Sequence, residues 1–365
     1  MMKKLFFFAL LVAAPSLFAA PVTIAQLTKY AEHAFPQCSG QAFKVEAVNQ
    51  PGPAGFDVYK VTQTSTDETC SNQKYLLVSP KSGQTLLGTV IRLPNDPRPV
   101  HIRVAEHASQ ILQSPMSARV APMLLPDGLK AVAITRDTPF GQFAYNGFID
   151  ASEQYLVVGM LGNLDQSPEK TLRDQLGVSN GARRGSANAK NEIIELSDFE
   201  CPTCGRAHKM LEPLVAKNIA RVNYIRIDLP LFEHHDWSFQ AAMGARALQH
   251  VAPAKYWEYV NSVFANQEVL TKEKVDEFVK NFATDRDLDW KAIDAIYSSP
   301  TERQMLLDQV SRAFAVGIVS TPTYIINGRT TGYGPEGEYT INAVRKAIGL
   351  PPIKVAKKKP APKKP

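Results

Sequence analysis

The chain has 365 residues, of which 44% are hydrophobic and 9% aromatic, a composition that supports a folded core and excludes an intrinsically disordered protein. Its formal net charge is +6, but eight of its 41 lysine and arginine residues lie in residues 1–20 and 354–365. The remaining segment carries 33 basic and 35 acidic side chains, which excludes a basic nucleic-acid-binding domain.

Residues 1–20 have the pattern of a secretory signal peptide. Lys3 and Lys4 precede ten apolar residues, 5–14, and small residues follow near Ala20. The apolar run is about half the ~20 residues of a membrane-spanning helix. We therefore expect signal peptide cleavage and a periplasmic or secreted protein, whose cysteines meet an oxidising environment.

Residues 21–165 alternate β-rich runs with turn residues and predict an N-terminal α+β domain. Residues 75–91 predict a hairpin, and a similar pattern returns about 71 residues later, where Gly159 corresponds to Gly88. The similarity favours two copies of a small unit, each a helix followed by an antiparallel sheet. A chance alignment of two ordinary hairpins is the alternative.

Cys38 and Cys70 both fall in the first of these copies. In an oxidising compartment we expect them to form a structural disulfide. Its loop of roughly 30 residues corresponds to about 3 kcal/mol of stabilisation when chain entropy dominates.

The segment 166–190 is interpreted as a linker helix and loop. Ser167 is a capping residue, Pro168 suits the first helical position, and Gly177 suits the exit from the helix. Residues 179–188 have linker composition. An α/β domain is predicted over residues 191–350, and residues 351–365, rich in Lys and Pro, are expected to form a disordered tail.

The central motif is Cys201-Pro202-Thr203-Cys204, which follows a predicted strand and opens a predicted helix. The first turn of a helix offers free N–H groups that stabilise a thiolate, the reactive form of cysteine. We expect Cys201 to be the nucleophile. Cys204, one turn further, is then the resolving thiol that breaks a mixed disulfide.

A C-x-x-C pair is also half of a common zinc site, so a metal-binding or metal-delivery protein is an alternative. His208 could complete a three-ligand site with Cys201 and Cys204, and residues 234–235 could add a fourth ligand. We instead expect the histidines at 234, 235 and 250 to be surface or capping residues, and His208 either tunes the thiol or faces solvent. A strand opened by Pro322 and closed by an Asn-Gly turn also argues against the metal.

With these motifs the chain resembles the thioredoxin-fold disulfide oxidoreductases, specifically the DsbA-like branch. The resemblance covers about residues 190–350 and rests on Phe-Glu-Cys-Pro-Thr-Cys at 199–204, on Thr321-Pro322, and on the Tyr-Ile-Ile-Asn-Gly segment that follows. It implies an α/β thioredoxin-like fold with a helical insertion at about 234–316. It also implies a cis peptide bond before Pro322 and no bound cofactor or metal.

The resemblance further implies where substrates bind and what they are. Thr321, Pro322, Pro202 and Thr203 would shape the docking site for a substrate peptide. The substrates would be cysteine-containing proteins, and a membrane or soluble redox partner would restore the active form. Oxidase, reductase and isomerase activities share these residues, so the direction of electron flow stays open.

Two further expectations concern acidity. Glu195 matches the buried acid of the family, six positions before Cys201, and by analogy relays the proton of Cys204 with a pKa raised by burial. Thr203, between the two cysteines, supplies no positive charge that would lower the pKa of Cys201 further. We therefore predict a Cys201 pKa below the ~8.5 of free cysteine but above the ~3.5 of the archetypal DsbA.

An N-terminal α+β domain joined by a helix to a thioredoxin domain resembles isomerases of the DsbC and DsbG type. In those proteins the N-terminal domain forms a homodimer. Its duplication here leaves both the homodimer and the isomerase role open. An interaction protein whose duplicated N-terminal units carry the function is a further alternative.

Overall fold

The computed structural model of the protein describes residues 22–38, 40–49, 51–66, 71–331 and 337–353. Within these residues the strands form an eight-stranded antiparallel sheet and a five-stranded mixed sheet. The predicted signal peptide, 1–20, and residues 354–365 of the predicted tail, 351–365, lie outside the described residues. None of the described helices is long and apolar enough to cross a membrane.

The N-terminal sheet consists of two successive units, each with one helix followed by four strands. The first unit contains α1 (Ile24–Ala34), β1 (Ala42–Ala47), β2 (Asp57–Thr64), β3 (Asn72–Val78) and β4 (Gln84–Arg92). The second unit contains α2 (Val100–Leu112), β5 (Ser117–Leu124), β6 (Lys130–Thr138), β7 (Gly141–Ile149) and β8 (Tyr155–Asn163). The strand order is β1-β2-β3-β4-β8-β7-β6-β5, so the last strands of the two units meet at the centre.

Two glycines allow these central strands to approach closely. Gly88 on β4 is paired directly with Gly159 on β8. A Cβ atom at Gly88 would lie 2.1 Å from the carbonyl oxygen of Val158, closer than any real contact. The glycines that mark the two sequence copies are therefore neighbours across the centre of the sheet.

The C-terminal sheet follows helix α3 (Pro168–Leu176). Its strands are β9 (Ala182–Gly185), β10 (Asn191–Ser197), β11 (Val222–Asp228), β12 (Thr323–Ile326) and β13 (Arg329–Thr331). They lie in the order β13-β12-β10-β11-β9. Helix α4 (Pro202–Lys217) connects β10 to the parallel strand β11. These two strands are nearly continuous runs of buried residues, as expected for strands that are covered on both faces.

The connection between the two sheets differs from its prediction. Helix α3 has the expected ends, because Ser167 accepts the N–H of Lys170 and Gly177 adopts a φ of 65°. Residues 182–185, however, lie inside the segment interpreted as a loop and pair antiparallel with β11. The Ala-Arg-Arg-Gly sequence has no apolar alternation, and it is the free edge of β11 that makes it a strand.

Five helices are inserted between β11 and β12. They are α5 (Ser238–Val251), α6 (Tyr256–Ala265), α7 (Val275–Thr284), α8 (Trp290–Tyr297) and α9 (Pro300–Ala315), and α10 (Glu338–Ala347) follows β13. Helix α9 packs against the N-terminal sheet: Phe314 contacts Phe143 on β7 edge to face, with ring centroids 5.6 Å apart. In addition, the Asn146 amide donates to the Ser311 hydroxyl at 2.8 Å. The N-terminal sheet is thus attached next to the segment that leads to β12.

Candidate active site

Cys201 lies where strand β10 leads into helix α4. It is the N-cap residue of α4, and Pro202 occupies the first helical turn, where an N–H is not needed. Backbone N–H groups of Thr203 and Cys204 interact with the Cys201 sulfur. Cys204 is completely buried, whereas Cys201 keeps 8% of its surface exposed. The start of the helix therefore leaves only the first cysteine within reach of another molecule.

The two cysteines differ in acidity. Hydrogen bonds from the Cys204 thiol and from the first-turn N–H groups outweigh burial and lower the pKa of Cys201 to about 5. Burial, with the adjacent Cys201 sulfur, raises the pKa of Cys204 well above its usual value. The Cys201 value lies between that of free cysteine, ~8.5, and that of the archetypal DsbA, ~3.5, as predicted.

The loop before β12 completes the surroundings of Cys201. The Thr321–Pro322 peptide bond is cis, as the resemblance implied. The Thr321 carbonyl oxygen lies 3.6 Å from Cys201 Sγ. Pro202 is exposed and Thr203 is half-buried at the start of α4. The fold thus brings Thr321 to the sulfur of a cysteine 120 positions earlier in the chain.

Glu195 is buried on β10, but the prediction of a raised pKa is wrong. The Tyr224 hydroxyl donates to Oε2 at 2.5 Å, and Arg226 Nη1 donates to Oε1 at 3.0 Å. Burial alone raises the pKa of Glu195, but the Arg226 guanidinium, aided by His208, lowers it below its usual value. Glu195 is therefore ionised, able to accept a proton but not to donate one.

Arg226 is the residue that sequence reasoning missed in this pair. It lies directly opposite Glu195 in the parallel register of β10 and β11, and it also donates to Asp228 at 2.9 Å. Its guanidinium lies 4.4 Å from the ring centroid of Phe199, two residues before Cys201. A buried charge on a neighbouring strand leaves no local sequence pattern, so only the register reveals it.

Asp198 and His235 form a second pair that the sequence analysis did not identify. His235 Nδ1 lies 2.8 Å from Asp198 Oδ2, and the Asp198 N–H approaches the Cys204 sulfur at 3.5 Å. The hydrogen bond to Asp198 raises the pKa of His235, and the charge of Cys201 raises it further. His235 is therefore an electrostatic partner of the site rather than a simple surface residue. The one sequence feature that could have indicated this pair is the position of Asp198 just after strand β10.

Gln267 fixes the backbone of the loop that carries Cys201. Its amide nitrogen donates to the carbonyl oxygens of Phe199 at 2.8 Å and Cys201 at 2.9 Å. A Cβ atom at Gly205 would lie 2.2 Å from the Gln267 amide oxygen. The glycine after the second cysteine therefore makes room for this contact.

His208, the candidate third metal ligand, has other partners. Its Nε2 atom lies 2.8 Å from the Asn261 amide oxygen, and its ring stacks on Phe264 with centroids 4.6 Å apart. It is buried, so the expectation that it faces solvent is wrong. Among the described residues, no group of three or more His, Cys, Asp or Glu side chains is arranged to hold a metal.

The predicted structural disulfide is only partly within the described chain. Cys38 is disulfide-bonded. Cys70, its predicted partner, lies outside the described residues, so the pairing of Cys38 with Cys70 stays a prediction.

Several solved structures resemble this chain. The thiol-disulfide exchange protein alpha-DsbA2 from Wolbachia pipientis is 20% identical, with a TM-score of 0.41, and the match covers 49% of this chain and 91% of that one. BdbD from Bacillus subtilis is 17% identical, with a TM-score of 0.41, covering 47% of this chain and 92% of that one.

Curated relatives match a similar share of the chain. A Na(+)/H(+) antiporter NhaA 3 from Salinispora tropica is 27% identical over 195 residues, which cover 50% of this chain and 28% of that protein. An NhaA 1 from Salinispora arenicola is 26% identical over 194 residues, again 50% of this chain and 28% of that protein. The chain thus spans less than a third of the length of these relatives.

A family model carries the assignment of the fold. The model described as thioredoxin matches residues 178–349. The match begins before β9, which agrees with the place of this strand in the C-terminal sheet. The match confirms the thioredoxin-like fold that was predicted for residues 190–350, and residues 178–349 are the thioredoxin-like domain of the chain.

Proposed function

We propose that the protein is a thiol–disulfide oxidoreductase that acts on cysteine-containing proteins outside the cytoplasm. The observation that carries the proposal is the opposite shift in acidity within Cys201-Pro202-Thr203-Cys204. A pKa of about 5 makes Cys201 a thiolate at neutral pH. Cys204 stays protonated and buried, out of contact with substrates, until a mixed disulfide has formed.

In the reducing direction, the Cys201 thiolate attacks one sulfur of a substrate disulfide. A Cys201–substrate disulfide forms, and the other substrate sulfur leaves as a thiolate. Cys204 then attacks Cys201 Sγ, its proton passing to the second substrate thiolate as that sulfur departs. Two electrons move from the enzyme to the substrate, and the enzyme is left with a Cys201–Cys204 disulfide. In the oxidising direction the same steps run in reverse.

The Thr321 carbonyl supports a docking role for the segment before β12. This oxygen lies against the Cys201 sulfur and is within reach of a backbone N–H of a substrate bound there. Pro322 and the exposed Pro202 would flank the substrate, with Thr203 beside them. We propose these four residues as the substrate-contacting set.

Export, and therefore a periplasmic or secreted location, is proposed from the signal-like segment 1–20. An oxidising compartment is consistent with the disulfide at Cys38. A membrane or soluble redox partner would restore the Cys201–Cys204 pair after each turnover. A homodimer through the N-terminal sheet stays a hypothesis.

The acidity of Cys201 also bears on the direction of electron flow. Stabilising the thiolate stabilises the reduced enzyme and makes the disulfide a stronger oxidant. A Cys201 pKa of about 5 lies between those of thioredoxin, ~7, and DsbA, ~3.5. We therefore propose a reduction potential between their values, ~−270 and ~−120 mV.

The decisive experiment is trapping of a mixed disulfide between the reduced protein and an oxidised, disulfide-containing model protein. Cys204→Ser should accumulate a covalent complex with the substrate that a reductant releases, because no thiol remains to resolve it. Cys201→Ser should form no such complex and should have no activity. If both variants keep their activity, the proposed function is refuted. Equilibration of the wild-type pair in glutathione buffers then measures the potential.

A further inference from the structure

A cavity of about 350 Å³ lies between the N-terminal sheet and the loop that precedes β12. One wall contains His33, Asn72 and Lys74, and the other contains residues 316–320 together with Pro322. Its volume falls in the range of ligand-binding pockets, ~300–1,000 Å³. The thioredoxin-like domain contributes only one side of this cavity, and the N-terminal sheet provides the other.

The cavity begins next to the reactive sulfur. Pro322 lines it, and the carbonyl oxygen of the preceding residue, Thr321, lies 3.6 Å from Cys201 Sγ. Val319, on the loop that forms one wall, is 59% exposed. A polypeptide held against the Thr321 carbonyl by its cysteine can therefore continue into the cavity.

Lys74 gives the cavity a positive charge. It extends from β3 over the ring of Phe35, with Nζ 5.7 Å from the centroid, and approaches the loop at Gly317. Within the described chain its ammonium group makes no ion pair, while the neighbouring His33 is paired with Glu169. Burial lowers the pKa of Lys74. A largely buried ammonium group without a carboxylate partner is costly, and an anionic ligand would offset that cost.

We propose that this cavity is a substrate subsite in which Lys74 binds an acidic side chain close to the substrate's reactive cysteine. The proposal rests on the proposed function, because the substrate is held by the Cys201 mixed disulfide. The hydroxyl groups of Ser320 and Thr330 in the lining can bind the same carboxylate or the adjacent backbone. The N-terminal sheet would thus determine which substrates react.

The test uses short synthetic peptides whose single cysteine carries a chromophoric thiol as a mixed disulfide. Peptides with Glu, or with Gln, at successive positions around the cysteine are mixed with the reduced full-length protein, and the rate constant of chromophore release is measured. At one or more positions Glu should react about tenfold faster than Gln, the equivalent of 1.4 kcal/mol. The preference should shrink as salt is added.

Variants assign the preference to Lys74. Lys74→Gln should abolish the Glu preference, Lys74→Arg should keep most of it, and the exposed Lys81→Gln should leave it unchanged. Equal rates for Glu and Gln peptides in the wild type, or a preference that survives in Lys74→Gln, would overturn the subsite while leaving the proposed function intact. If the wild-type protein releases the chromophore from the peptides no faster than Cys201→Ser does, the proposed function itself fails.

Discussion

The Arg226 guanidinium donates to the Glu195 carboxylate across the central pair of parallel strands, with 3.0 Å between Nη1 and Oε1. Both side chains are buried, and Arg226 also binds Asp228 at 2.9 Å. Phe199, in the loop before Cys201, lies on the guanidinium. The positive charge beside Phe199 and Glu195 therefore comes from strand β11 rather than from the C-x-x-C motif.

Removing Arg226 should destabilise the protein strongly. Arg226→Met leaves Glu195 and Asp228 buried without their cation, which typically costs about 3–5 kcal/mol. Lys170→Met, in the exposed pair with Asp174, is the matched control and should cost less than about 1 kcal/mol. Denaturant unfolding of both variants measures the difference. Similar losses for the two variants would contradict a structural role for the buried pair.

The Cys201 thiolate should make the reduced protein sensitive to acid. Its pKa of about 5 lies below the ~8.5 of the unfolded chain. The thiolate therefore contributes stability that is fully present above ~8.5 and is lost as the pH falls through about 5. Thiolate absorbance should show a midpoint near 5 that is missing in Cys201→Ser. A midpoint above ~8, the range of free cysteine, would disprove the thiolate assignment.

His235 should support this thiolate. Its pKa is raised by Asp198, so its charge contributes stability that is fully present below ~6.5 and is lost as the pH rises through the higher folded value. In His235→Asn we expect the Cys201 midpoint to rise by up to about one unit. Exposed His250 offers a matched control, because His250→Asn should leave the midpoint unchanged. An unchanged midpoint in His235→Asn would remove His235 from the site.

Gln267 and Gly205 should act as one unit. Gln267→Ala leaves two carbonyl groups without this donor, for a loss of about 1–3 kcal/mol. Gly205→Ala should cost a similar amount, because its Cβ would displace the Gln267 side chain. In the Gln267→Ala background, however, Gly205→Ala should be neutral or stabilising by up to about 1 kcal/mol, since alanine favours the helix. Additive losses in this double-mutant cycle would contradict the steric coupling.

Local sequence signals predicted the helices and turns that are determined by residues close together in the chain. The Ser167 cap and Gly177 exit of α3 were found where predicted. Cys201 at the start of a helix was predicted because a strand, a turn and an apolar helical pattern follow each other directly in the chain. The cis bond before Pro322 was implied by a short motif.

Other features depend on residues that meet only in the folded chain. Strand β9 forms because β11 would otherwise have an unpaired edge, although the residues of β9 do not favour a strand. The pKa of Glu195 was predicted in the wrong direction, because its sign is decided by Arg226 on a different strand.

By itself, therefore, the sequence determined the position of Cys201 at the start of a helix, because helix capping and hydrophobic periodicity act over a few residues. The thioredoxin-like fold was implied by the resemblance of its short motifs to a known family. Only the tertiary structure decided the ionised state of Glu195, the pairing of His235 with Asp198 and the cavity next to Pro322. Electrostatic energies and cavities depend on distances between groups far apart in the chain, and those distances are fixed by strand register and by the packing of the two sheets.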